Sequence, residues 1–111
     1  MRKLVSVLVV SFLMGNAGVA YANYELLVKN NCLACHYVDK RKYGPKLTEI
    51  AAKYAGDKKA ESFLSKKIRK GGTGVWGIDV MPPQRQVSQA DAVALARYIL
   101  SLKESDKAPT Q

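Results

Sequence analysis

Apolar positions along this chain fall into short, helix-spaced groups separated by glycine- and proline-bearing breaks. Leu26, Leu27 and Val28 centre a segment from Tyr24 to Asn30 that predicts a short helix running into Cys32. A second short helix is predicted over Thr48 to Tyr54, with Ile50, Ala51 and Tyr54 on one side. Gly56-Asp57 ends it, and Asp57 is placed to cap the next helix. There Ala60, Phe63, Leu64 and Ile68 recur at i, i+3, i+4 and i+8, one apolar stripe, until Gly71-Gly72 stops the helix. Ser88-Gln89-Ala90-Asp91 reads as a capping box, and Ala92, Leu95, Ala96, Ile99 and Leu102 follow at helical spacing. No run alternates as a strand. The pattern predicts an all-α fold of about four short helices, with a polar, frayed tail from Glu104 to Gln111.

Two stretches stand outside this pattern. Residues 71–87 form a loop long enough to be either functional or disordered. Its apolar members Val75, Trp76, Ile78, Val80 and Met81 argue against disorder, because they need something to pack on. At the other end, Arg2 and Lys3 precede an apolar run from Leu4 to Met14, then small residues ending in Ala20-Tyr21-Ala22. A basic start, an apolar centre and an A-x-A site predict a signal peptide over residues 1–22 and a mature domain over residues 23–111. The alternative is an uncleaved membrane anchor. A spanning helix needs about 20 mainly apolar residues, whereas this stretch turns small and polar at Gly15, Asn16 and Gly18.

Export changes the meaning of the two cysteines. Cys32 and Cys35 are too close to constrain much chain as a disulfide, and too few for a disulfide scaffold, so they point to chemistry. Charge narrows the partners. The chain carries a formal +9 at pH 7, and loss of Arg2 and Lys3 leaves +7. Such a surface is soluble and attracts acidic partners. Nucleic acid is a poor candidate for an exported protein whose basic residues are scattered. A mature chain this short has a thin core, which a large apolar cofactor would complete.

Cys32-Leu33-Ala34-Cys35-His36 is a C-x-x-C-H sequence, the attachment signature of c-type haem. Two thiols at that separation reach the two vinyl groups on one edge of a porphyrin, and the adjacent imidazole lies under the iron. A thiol redox centre or half a zinc site can use the same cysteine spacing. The chain shows no βαβ pattern for the first, and its single histidine leaves too few ligands for the second. The other axial ligand follows by elimination. Met1 and Met14 leave with the signal peptide, so Met81 is the remaining methionine. A lone methionine is often core filler, but Pro82-Pro83 stiffen the backbone directly after this one.

Cys32 to His36, Gly44-Pro45, Gly74-Val75-Trp76-Gly77 and Met81-Pro82-Pro83 stand in the order and spacing of the short bacterial class I cytochromes c, which this chain resembles from about residue 24 to 103. The resemblance implies the class I cytochrome c fold around one haem c, attached through Cys32 and Cys35 and ligated by His36 and Met81. It implies that the Pro45 carbonyl accepts the Nδ1 proton of His36, and that Trp76 and Lys67 reach the haem propionates. Without it, Trp76 reads as a core aromatic and Lys67 as part of a solvated helix face. Gln84 stands where an asparagine often bonds the methionine sulfur, and the loop Arg85-Gln86-Val87 is about one residue longer than in the shortest members.

The expected function is a periplasmic one-electron carrier, monomeric and not an enzyme, passing electrons between a quinol-oxidising membrane complex and a terminal oxidase or nitrite reductase. Lys29, Lys46 and Lys70 are candidates for steering acidic redox partners. Rival readings are a haem enzyme or gas-binding protein with a labile sixth ligand, a thiol–disulfide oxidoreductase, and the same carrier anchored by an uncleaved N-terminus.

Overall fold

The structure, a computed structural model, describes residues 19–109, with side chains from residue 23. Residues 1–18, the bulk of the expected signal peptide, lie outside the described residues. Four α-helices follow in chain order: α1 (Val19–Lys29), α2 (Leu47–Lys53), α3 (Ala60–Lys70) and α4 (Gln89–Ser101), with a 3-10 turn over Cys32–Ala34. The helices match the predicted ones within a few residues, except that α1 begins before the expected cleavage point. Among the described residues the extended structure is a lone antiparallel bridge, Gly72 to Met81.

Each helix end has a local cause. The start of α2 lacks a side-chain cap, but its first N–H groups are met by loop carbonyls: Leu47 N–H donates to Tyr37 O at 2.9 Å and Thr48 N–H to Val38 O at 3.1 Å. Before α3, the Asp57 carboxylate accepts from Lys59 N–H at 2.8 Å. This is a turn one step ahead of the helix, so Asp57 leads the chain in without being the cap residue itself. Gly71, at φ 70°, ends α3 in a conformation that a side chain would oppose. Ser88 Oγ accepts from Asp91 N–H at 3.0 Å and caps α4 as predicted.

The centre is α4, which packs on α1, α2 and α3. Its Ala92 and Ala96 are fully enclosed, and their small side chains let neighbouring backbones come close. Leu95 of α4, Leu27 of α1 and Leu47 of α2 are buried with them, joined by Val38 and Val87 from the loops. Each such leucine contributes about 1.5–3 kcal/mol relative to exposure.

The tail departs from expectation. Residues 102–109 fold back instead of fraying: Lys46 Nζ lies 2.6 Å from Glu104 Oε1, and Lys107 Nζ lies 3.5 Å from Asp39 Oδ2. Asp106 Oδ2 also accepts from Lys103 N–H at 2.7 Å. The polar composition that suggested fraying supplies charges of both signs, and Lys46 and Asp39 supply their complements.

Candidate functional site

A cavity of about 330 Å³ lies between the helices and the 72–81 loop. Cys32, Cys35, His36 and Pro45 line it from the first half of the chain, and Lys67, Trp76 and Met81 from the second. All seven predicted site residues therefore meet at one place. Its remaining walls are largely apolar, with Leu47 and Ile50 of α2, Leu64 and Ile68 of α3, and Leu95 of α4.

The 3-10 turn over Cys32–Ala34 presents both thiols to the cavity and leads directly into His36. His36 is buried, and its Nδ1 lies 2.8 Å from Pro45 O. A carbonyl can only accept, so Nδ1 carries the proton and Nε2 keeps a free lone pair. Burial holds the imidazolium pKa below its usual value, partly opposed by the Pro45 carbonyl. Gly44 lies flat on this ring, so that any methyl group there would run into the imidazole. Burial pushes the Cys32 thiol up, which keeps it protonated and weak as a nucleophile.

Met81 is set by backbone. Gly72 N–H donates to Met81 O at 2.9 Å and Met81 N–H to Gly72 O at 2.8 Å, pinching the 72–81 loop at its base. Gly71 lets this happen: a side chain there would collide with the backbone of Met81, Pro82 and Pro83. Gln84 N–H donates to Ile68 O at 3.1 Å and moors the segment after Pro83 to α3. The Gln84 side chain does not follow the asparagine pattern. Its amide donates to Pro82 O at 2.9 Å and its Oε1 accepts from Gln86 Nε2 at 3.0 Å. Gln86 also donates to Asn30 O at 3.0 Å.

Of the loop's apolar residues, Trp76 and Met81 pack against the edge of the core, and Val75, Ile78 and Val80 do not. Ile78 is 94% and Val80 69% exposed, while Val75, Trp76 and Val80 line the cavity. Lys53 Nζ lies 5.3 Å from the Trp76 ring centroid and Lys67 Nζ 5.5 Å from that of Phe63, within cation–π range. Of the lysines expected to steer partners, none lines the cavity, and Lys46 is engaged by Glu104. Sequence reading passed over Tyr43, Tyr54 and Phe63, which line the cavity too. Tyr54 and Phe63 pack together with centroids 5.5 Å apart. Phe63 reads as core in the helical stripe, yet it remains 40% exposed to the cavity and solvent.

The cytochrome c family model matches residues 23–103. The chain belongs to the cytochrome c family. It is 53% identical over 87 residues to cytochrome c-552 of Nitrosomonas europaea, covering 78% of this chain and 84% of that protein. It is 47% identical over 103 residues to cytochrome c-552 of Hydrogenobacter thermophilus, covering 93% and 100%. The crystal structure of wild-type Nitrosomonas europaea cytochrome c552 superposes with a TM-score of 0.70, covering 71% of this chain and 98% of that one. The class 1 cytochrome MtoD of Sideroxydans lithotrophicus is 29% identical with a TM-score of 0.59, covering 78% and 95%.

This cytochrome c thus has the all-α class I fold and carries one covalently attached haem c, with Cys32 and Cys35 as the attachment points. The residues fit that group. Both thiols line an apolar cavity, a neutral imidazole stands beside them, and a thioether comes from the opposite end of the sequence. The protein is an electron-transport cytochrome c.

Proposed function

We propose that this cytochrome c is a periplasmic one-electron carrier whose haem iron is ligated by His36 and Met81. The observation that carries the reading is their placement: both line the cavity that holds Cys32 and Cys35, and each is fixed by a backbone contact. The bound haem supplies the one-electron couple. His36 offers Nε2 while Pro45 holds its Nδ1 proton. Met81 offers a soft, neutral sulfur that favours the ferrous state. Apolar walls act in the same direction, because a low-dielectric surround disfavours the extra positive charge of ferric iron. Trp76 and Lys67 line the same cavity, and we read them as partners of the haem propionates.

Nothing in this assignment requires a substrate, so we read the protein as a carrier and not an enzyme. Its basic surface suits acidic redox partners. The donor would be a quinol-oxidising membrane complex and the acceptor a terminal oxidase or nitrite reductase. Export is supported by the A-x-A pattern before Asn23, and the family match begins at the same residue. Among the described residues no helix is long and apolar enough to cross a membrane. An intact mass lacking residues 1–22 is the expected result for the exported protein.

The deciding test is a visible spectrum of the haem-loaded protein, oxidised and then reduced. Sharp reduced α and β bands with the weak far-red band of methionine-bound ferric haem are expected, together with no carbon monoxide binding at neutral pH. A spectrum without the far-red band, or ready carbon monoxide binding, would retire Met81 as a ligand and favour a haem enzyme or gas-binding protein.

A further inference from the structure

The segment between His36 and α2 does two jobs for the site. It carries the imidazole at one end and the carbonyl that fixes it, Pro45 O, at the other. Its base is closed by Gly44 N–H to Cys35 O at 2.8 Å and Leu47 N–H to Tyr37 O at 2.9 Å. The ascending and returning limbs are each gripped from outside by the C-terminal tail. Lys107 reaches Asp39 on one limb, and Glu104 reaches Lys46 on the other, the residue directly after Pro45. Asp39 is well covered, with a side chain only 20% exposed. Within the tail, the Asp106 carboxylate receives Lys103 N–H and so holds the bend between the two grips. Ala108 lines a pocket together with Tyr24, Tyr37 and Val38. Residues 104–109 also lie past the part matched by the family model, which ends at 103.

We propose that residues 104–109 are a strap that holds the 39–46 segment against His36, with Glu104 and Lys46 as positioning residues for the hydrogen bond from His36 Nδ1 to Pro45 O. This rests on His36 being the haem ligand. A taut bond makes the imidazole a stronger electron donor and stabilises ferric iron. A loosened strap lets Pro45 swing, weakens that donation and raises the reduction potential. Because the grips are charged and near the surface, their effect is modest and fades with salt.

The test is a charge swap on the haem-loaded, full-length protein, read by solvent exchange of the His36 ring proton in the reduced state and by the reduction potential. Glu104→Lys and Lys46→Glu should each speed exchange by about threefold at low ionic strength. The double variant Lys46→Glu/Glu104→Lys restores an opposite-charge pair at unchanged net charge, and should return both exchange and potential towards wild type. Glu61→Lys serves as control, since it removes another surface pair, Arg97 with Glu61 at 3.0 Å, and should leave exchange unchanged. Exchange that stays at the wild-type rate in Glu104→Lys, or that the double variant fails to restore, overturns the strap. Failure of the ligand assignment looks different: the His36 ring signals of the wild-type protein would then lack the large upfield shift of a ring stacked beneath reduced haem.

Discussion

Two glycines make room for the two residues proposed as iron ligands, and they do so differently. Gly44 has no unusual backbone angle; its role is to leave a flat bed for the His36 ring. Gly71 has both constraints, a φ of 70° and the backbone of Met81 to Pro83 where a side chain would point. Gly44→Ala should therefore tilt or push the imidazole while leaving α2 and α3 intact. The expected outcome is a shifted reduction potential with unchanged far-ultraviolet circular dichroism. Gly71→Ala should act on the other side of the site. The positive φ alone costs about 1 kcal/mol, and the collision moves Met81. Weakening of the far-red band together with a lowered melting temperature is the expected result. A full-strength band would show that the 72–81 loop can yield without disturbing its methionine. Neither glycine's role was readable as a site contribution. Gly44-Pro45 and Gly71-Gly72 look like ordinary turn and stop signals, and the close neighbour in each case is remote in sequence.

At the scale of elements, the fold is a set of short helices that gain most of their stability by packing on α4. The cap at its start tests this. Ser88→Ala removes the acceptor for Asp91 N–H, and should lower the unfolding free energy by about 1 kcal/mol. Denaturant titration followed at the haem band would measure it, with electron-transfer rates at low denaturant unchanged because the cap touches no cavity residue. The helix pattern was legible because period and punctuation are local properties: the stripe from Ala60 to Ile68, the capping box at Ser88 and the stop at Gly71 all declare themselves within one or two turns. Phe63 shows where such reading ends. Helical spacing places it with the core residues, but only the cavity between α2 and α3 reveals that part of its face belongs to the haem site. The 72–81 loop is a similar case. Its apolar residues announced that something must cover them, and for Val75, Trp76, Val80 and Met81, though not Ile78, the cavity gives them that role.

For the whole molecule, charge is the property that reaches furthest. A formal +9 on the chain, or +7 if residues 1–22 are removed as proposed, should accelerate encounter with acidic partners at low salt. Bimolecular electron-transfer rates with an acidic partner protein should fall by roughly tenfold or more as ionic strength rises from about 0.01 M to 0.15 M, where screening shortens to about 8 Å. Rates that stay flat over that range would remove electrostatic steering. Of the lysines in play, Lys29, Lys46 and Lys70 lie outside the cavity lining. Lys46 is held by Glu104, whereas Lys67 lies in the cavity wall and Lys53 beside Trp76. Replacing Lys53 or Lys67 should therefore change the salt dependence more than replacing Lys46.

The sequence by itself determined the chemistry of this cytochrome c, because the groups that attach the haem are neighbours in the chain. Cys32, Cys35 and His36 fit within five residues, and their spacing alone matches one edge of a porphyrin. Met81 was the one methionine beyond the expected signal peptide and so the candidate second ligand, and helical period supplied the all-α class. Tertiary structure decided everything that depends on distant segments meeting. It pinned Met81 to Gly72, tied Gln86 to Asn30, drew Lys46 to Glu104 and folded the tail across the His36 segment. Those contacts join residues whose local sequence holds no record of each other. Each arises only when packing on α4 has fixed where the loops lie, and a side chain's partner is then whichever complementary group the fold has brought within reach.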